Sequence, residues 1–208
     1  HQGGARGADP AVKRRVLIAA ALAVPALTAM AANEGPRLKA GVFTPAHPAP
    51  EFSLRASDGG ELNLARYRGK LVLLFFGFTH CPDVCPTALA KIGSALEALG
   101  DKAALIQPIF VTTDPKRDTS ARMKEYLADY DSRIAGLTGS DAQVDHIKSI
   151  YKVYAAIAEG GDADNYIMDH SGYIYLMSEN DELLEIFGSD STGETIVQKS
   201  TPHLTSSQ

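Results

Sequence analysis

The sequence predicts an α/β fold in which a mixed central sheet is flanked by helices and carries an added β-hairpin. Three patterns predict it. "LVLLFF" at 71–76 is a continuous apolar run, as in a strand buried on both faces. Strand-like and helix-like stretches then alternate as far as residue 152, which suits parallel strands joined by helical crossovers. Beyond that point the pattern turns to β and closes with "YIYLM" and "ELLEIF" about an Asn180-Asp181 turn.

Taken in order, residues 34–50 read as a linker, with four prolines and little periodicity. "EFSLRASDGGELNL" reads as two short strands about Asp58-Gly59-Gly60. Arg68-Gly69-Lys70 turns the chain into "LVLLFF", and both cysteines follow directly. "TALAKIGSALEAL" then reads as a helix from about Thr87, ended by Gly100. "AALIQPIFVTT" supplies a strand in which Pro108 suggests an edge or a bulge. After the loop "DPKRDT" come a helix in "SARMKEYLADY" and a strand in "RIAGLTG". A helix follows whose Ser140 and Gln143 have capping-box spacing. "VYAAIA", a Gly160-Gly161 loop, "YIMD" and the closing hairpin are β, and a last helix fits Thr192–Lys199. The domain thus spans 51–200, with a polar tail at 201–208. A strand ending in a cysteine motif that opens a helix is the thioredoxin-like arrangement.

The 45% hydrophobic and 22% charged content is ordinary for a globular chain. A formal charge of −5 with no basic stripe excludes a nucleic-acid binder. Basic residues do gather at the front, where Lys13-Arg14-Arg15 precedes 17 uncharged residues from Val16 to Ala32. That is the form of a secretory signal peptide, with Ala29-Met30-Ala31 as a cleavage site. The rival is a membrane anchor, although such a helix spans roughly 25 Å against a hydrocarbon core of ~30 Å. Either places Lys13, Arg14 and Arg15 on the cytoplasmic side and the body outside.

Cys81 and Cys85, in "FFGFTHCPDVCPTALAKI", are the only thiols. At a helix start the amide N–H groups and macrodipole favour thiolate. Pro86 suits the first helical position, and each cysteine precedes a proline, which biases it away from α geometry. A structural disulfide, a redox pair and a metal clasp are all compatible with the pair. A loop this short removes little unfolded-chain entropy, which weighs against a mere staple. On a helix, i,i+4 spacing puts Cβ atoms about 5–6 Å apart, against roughly 3.5–4.5 Å for a disulfide, so the spacing leans towards a clasp. Two thiolates suit Cu(I), which accepts few ligands, better than zinc, which wants four. Of six histidines, His1 and His203 are terminal, His47 is in the linker, His146 is on a helix, and His80 should point away from Cys81. His170, in "YIMDHSGYIYLM" between two β runs, is the best placed third ligand.

Together "FFGFTHCPDVCP", "VTTDPKRDT", "YIMDHSGYIYLM" and the basic-then-apolar N-terminus resemble the Sco/SenC family of membrane-associated copper chaperones. The resemblance runs from about residue 40 to 190. It implies a thioredoxin-like domain tethered to a membrane, with copper, as Cu(I) and also Cu(II), held by Cys81, Cys85 and His170. It implies partners too: the copper-centre subunit of cytochrome c oxidase, other copper chaperones, and thiol reductants. The family acts as chaperone, thiol reductase or both. Asp114, Arg117 and Asp118 match its charged loop and become candidates for a partner surface or for support around the metal. A solvated turn with Asp118 or Thr119 capping the next helix is equally compatible. Asp83, between the cysteines, has the same two readings. The same thiols also suit a thiol-disulfide oxidoreductase, with Cys81 attacking and Cys85 resolving, a thiol peroxidase, or a copper or redox sensor.

Overall fold

A strand that is apolar at every position must be covered on both sides, and the fold is arranged around one such strand. The structure, a computed structural model, describes residues 39–158 and 165–204. The expected signal peptide or anchor (1–33), the Gly160-Gly161 loop and the end of the polar tail lie outside the described residues. In chain order the elements are β1 (Gly41–Pro48), β2 (Ser53–Ala56), β3 (Glu61–Asn63), β4 (Leu71–Gly77), α1 (Val84–Leu99), β5 (Ile106–Thr112) and α2 (Ser120–Leu127). They continue with β6 (Ala135–Thr138), α3 (Asp141–Ile150), β7 (Ala155–Ile157), β8 (Met168–His170), β9 (Ile174–Met177), β10 (Glu182–Phe187) and α4 (Gly193–Ser200).

Eight strands form one sheet in the order β1-β10-β9-β4-β5-β6-β2-β3, with β4, β5 and β6 parallel and the other neighbours antiparallel. This is the mixed, helix-flanked, thioredoxin-like sheet the sequence predicts. Side chains alternate along β4: Leu71, Leu73 and Phe75 join α1 residues Leu89 and Ile92 and α4 residue Ile196 in one core. Val72, Leu74 and Phe76 join Ile147 and Tyr151 in the other. Two cores on one strand explain why its apolar run has no polar break. The helix α1 is the crossover that two parallel neighbours, β4 and β5, require. The residues between β4 and α1 therefore lie at the carboxyl end of the parallel strands.

Three local expectations need correction. Within the stretch read as a linker, Gly41–Pro48 pairs antiparallel with β10 at the sheet edge. An edge strand tolerates Pro45, and the register shifts between Val42 and His47. Secondly, α1 starts at Val84, so Cys85 is helical and Pro86 is its third residue rather than its first. The first-turn N–H groups lack intrahelical partners anyway, so a proline there removes no bond. Thirdly, Pro108 lies in an interior strand, between β4 and β6. Pairing with β6 begins only at Ile109, so β5 has no such neighbour at Pro108. The Ser140–Gln143 capping box is present, and Asp181 takes a positive φ of 60° in the β9–β10 turn.

The end of β4 has no room for a side chain. A Cβ on Gly77 would stand 2.5 Å from Cys85 Sγ and 2.7 Å from Phe110 Cε2. Gly77→Ala should therefore displace the thiol or the ring and cost about 1–3 kcal/mol in urea unfolding. A variant as stable as the parent would mean that Cys85 has space to move.

Candidate metal centre

The thiols sit where β4 hands over to α1. Cys85 is fully buried and Cys81 is 9% exposed, and both are free. Asp83 precedes α1 without a side-chain capping bond, and the cap is sulfur instead: Cys85 N–H donates to Cys81 Sγ at 3.3 Å. The helix start therefore favours negative charge on Cys81. A hydrogen bond from the Cys85 thiol, with the Cys85 amide acting in the same sense, outweighs burial and holds the Cys81 thiol far below its ordinary value. Burial pushes the Cys85 thiol up, and the adjacent Cys81 acts in the same sense. The pair is thus a thiolate at Cys81 and a thiol at Cys85.

The imidazole arrives from the far end of the chain. His170 ends β8, which pairs with β7 in a two-stranded ribbon, Ala155 opposite His170. Its Nε2 stands 3.3 Å from Cys85 Sγ and 3.8 Å from Cys81 Sγ. Its Nδ1 lies 3.1 Å from the Ser171 carbonyl. A carbonyl only accepts, so Nδ1 carries the proton and Nε2 turns its lone pair to the sulfurs. Phe75 and Phe78 pack edge-on against the ring at 6.3 and 5.6 Å. Close approach of this segment needs Gly172, where a Cβ would meet Val84 Cγ1 at 2.7 Å.

The three donor atoms lie within 4.8 Å of one another, and no fourth His, Cys, Asp or Glu joins them among the described residues. Two sulfurs and one imidazole form a soft set suited to a metal content with two or three ligands. His47 and His146 are exposed elsewhere, and His80 turns to Thr79 Oγ1, 3.1 Å away. The other residues singled out by the sequence are dispersed. Asp83 is exposed on the motif loop. Asp118 is fully buried and caps nothing: its carboxylate accepts from Thr79 N–H (3.0 Å), Thr79 Oγ1 (2.7 Å) and Thr112 Oγ1 (2.7 Å). The cap of α2 is Thr119. Asp114 is buried beneath Arg117 and Tyr166, so neither aspartate offers a free carboxylate to a partner. Sequence reasoning missed Phe78, Thr79, Thr112 and Tyr166; the signal each carried was its place in one of the quoted stretches "FFGFTHCPDVCP", "VTTDPKRDT" and "YIMDHSGYIYLM".

Beside the imidazole is a pocket of about 250 Å³ lined by Tyr154, His170, Ser171, Gly172, Tyr173 and Ser189. A larger cavity, about 830 Å³, is between the β2–β3 turn and the starts of α2 and α3, and none of the three donors lines it. The donor group and this cavity are therefore separate.

Fold and donors define a class: a thioredoxin-like protein whose strand-end thiols are completed by a distant imidazole into a soft-metal group. Its family follows from comparison, because the SCO1/SenC model matches residues 43–205, and the chain belongs to that family. The SCO2-like protein RC0895 of Rickettsia conorii is 39% identical over 149 residues, 71% of this chain and 73% of its own length. The copper-bound structure of Bradyrhizobium japonicum ScoI is 36% identical with a TM-score of 0.70, covering 75% of this chain and 99% of that one. Copper-bound yeast Sco1 is 34% identical with a TM-score of 0.69, covering 76% and 88%.

Two predictions follow from these electrostatics. In the reduced protein, ultraviolet thiolate absorbance should persist as pH falls well below the ordinary thiol value of 9.0 and vanish in Cys81→Ser. Absorbance that titrates near 9.0 would place the thiolate wrongly. For Asp118, burial raises the carboxyl above its ordinary 3.8 by more than the Thr79 and Thr112 bonds lower it. A raised folded value contributes stability that is complete below the unfolded value and is lost as pH rises through the folded one. Acidification from neutral should therefore stabilise the parent relative to Asp118→Asn in denaturant unfolding. Parallel pH profiles would show that Asp118 titrates alike in both states.

Proposed function

We propose that this chain carries copper: Cys81, Cys85 and His170 hold Cu(I) and pass it to a partner by exchange with that partner's thiolates. The observation that carries the reading is the three-donor soft group, which no fourth His, Cys, Asp or Glu joins among the described residues. Thiolates bind Cu(I) strongly, and a neutral imidazole is a ligand that can leave during transfer and can help to hold Cu(II). Copper-bound relatives of the same fold support it. The partner we infer from the family is the copper-centre subunit of cytochrome c oxidase, with other copper chaperones or thiol reductants upstream. The basic-then-apolar N-terminus supports export, with the domain on the periplasmic side of a membrane and the segment acting as signal or anchor.

A second reading is favoured by the lowered Cys81 thiol beside a protonated Cys85. Attack by Cys81 on a partner disulfide followed by resolution at Cys85 would leave the partner with two thiols and this chain with a disulfide. The two readings are compatible, because thiols of a copper-centre subunit must be reduced before they accept the metal.

Copper stoichiometry and Cu(I) competition on the reduced chain test this reading. One copper per chain is expected, lost in Cys81→Ser and in Cys85→Ser and weakened by at least about tenfold in His170→Ala. Weak, unselective binding, with disulfide reduction that survives His170→Ala, would leave an oxidoreductase.

A further inference from the structure

His170 reaches the thiols from a ribbon outside the main sheet, and two strands alone are marginally stable. After His170 the chain is held by the Ser171 N–H bond to Tyr154 O at 2.9 Å and by entry into β9. Before it, the hold comes from the loop between β5 and α2. The Tyr166 hydroxyl donates to Asp114 Oδ1 at 2.7 Å, and Arg117 Nη1 donates to Tyr166 O at 2.8 Å. Arg117 Nε donates to Asp114 Oδ2 at 2.5 Å, and its guanidinium lies 3.6 Å from the Tyr166 ring centroid. Tyr166 is 7% exposed and Asp114 3%.

The same guanidinium lies 5.8 Å from the centroid of Phe78, the ring that packs edge-on against His170. The cluster thus bears on His170 twice, through the backbone four residues before it and through the aromatic beside it. Among the described residues, none pairs with the buried Arg117 Nη2. Leaving a buried cationic N–H unpaired is unfavourable. Its other contacts, to Asp114, Tyr166 and Phe78, hold the guanidinium in that place.

We propose that Tyr166, Asp114 and Arg117 are positioning residues for His170, a clamp that sets the distance and angle of its imidazole to the two thiols. None of them belongs to the donor group. The functional meaning of the clamp rests on the copper reading above; its geometry belongs to the metal-free protein.

The test places Tyr166→Phe and Arg117→Lys in the full chain, each with His170 present and with His170→Ala. One readout is Cu(I) competition affinity. The other is the nuclear Overhauser contact between the His170 ring and the Cys85 β-protons in reduced, metal-free protein. With His170 present each variant should lose about tenfold in affinity and weaken the ring contact, and with His170→Ala neither should lose affinity. Equal affinity loss in both backgrounds, or a ring contact unchanged by both variants, overturns the clamp. If the parent itself takes up no Cu(I), the copper reading falls and the ring contact alone decides: weakened in Tyr166→Phe it supports the clamp, unchanged it overturns it.

Discussion

The hydrogen bonds to Asp118 tie the loop that enters the cysteine motif to the end of β5, and the thiol geometry depends on that attachment. Thr79 lies two residues before Cys81 and gives the carboxylate both its amide and its hydroxyl, while Thr112 ends β5. A further bond, from Thr138 Oγ1 to Asp118 O at 2.6 Å, brings in β6. No lysine or arginine pairs with this carboxylate among the described residues. His80 Nδ1, 3.8 Å away, is the neighbouring basic group. Arg122 bonds Thr79 Oγ1 instead. Burying a carboxylate on neutral donors alone is costly, and the raised Asp118 carboxyl reflects it. In return, three acceptor bonds of fixed direction hold a loop that contains no regular structure between β4 and α1.

That attachment makes the thiol side of the centre the firmer one. Gly77, Cys85 and Phe110 meet at van der Waals limits, and α1 anchors Cys85 in its first turn. The imidazole side is built differently, on the β7–β8 ribbon and its contacts with the loop after β5. The sulfurs and the nitrogen are thus held by different parts of the fold. This division suits a cargo site, where one ligand must yield before the rest.

What the sequence reveals divides along the same physical line. β4 is legible because burial on both faces removes every polar residue from 71–76, and the motif is legible because Cys81 and Cys85 are the only thiols. His170 emerges by position, between two β runs. The β1 strand is hidden because Pro45 and its neighbours look like linker, and an edge strand tolerates what an interior strand would not. The first turn of α1 is hidden because a proline after a cysteine normally argues against helix. Asp114 and Asp118 look like surface because charged loops usually are. Their partners come from 52 and 39 residues away, at Tyr166 and Thr79, and no local pattern announces a contact made only by folding.

Charge accounting links these features to the proposed cargo. Without a metal the two sulfurs share one negative charge, on Cys81, because burial holds Cys85 protonated. A second thiolate in the same enclosed space would be opposed by both desolvation and repulsion. Replacing the Cys85 proton with Cu(I) leaves the net charge of the sulfur pair at minus one, so the surroundings need not reorganise. A divalent ion would change that charge by one unit and, if zinc, would ask for a fourth ligand that the described residues do not bring. The neutral imidazole, with Nδ1–H committed to Ser171 O, adds a donor without adding charge. The proton on Cys85 therefore marks the place a monovalent soft cation can take at least electrostatic expense.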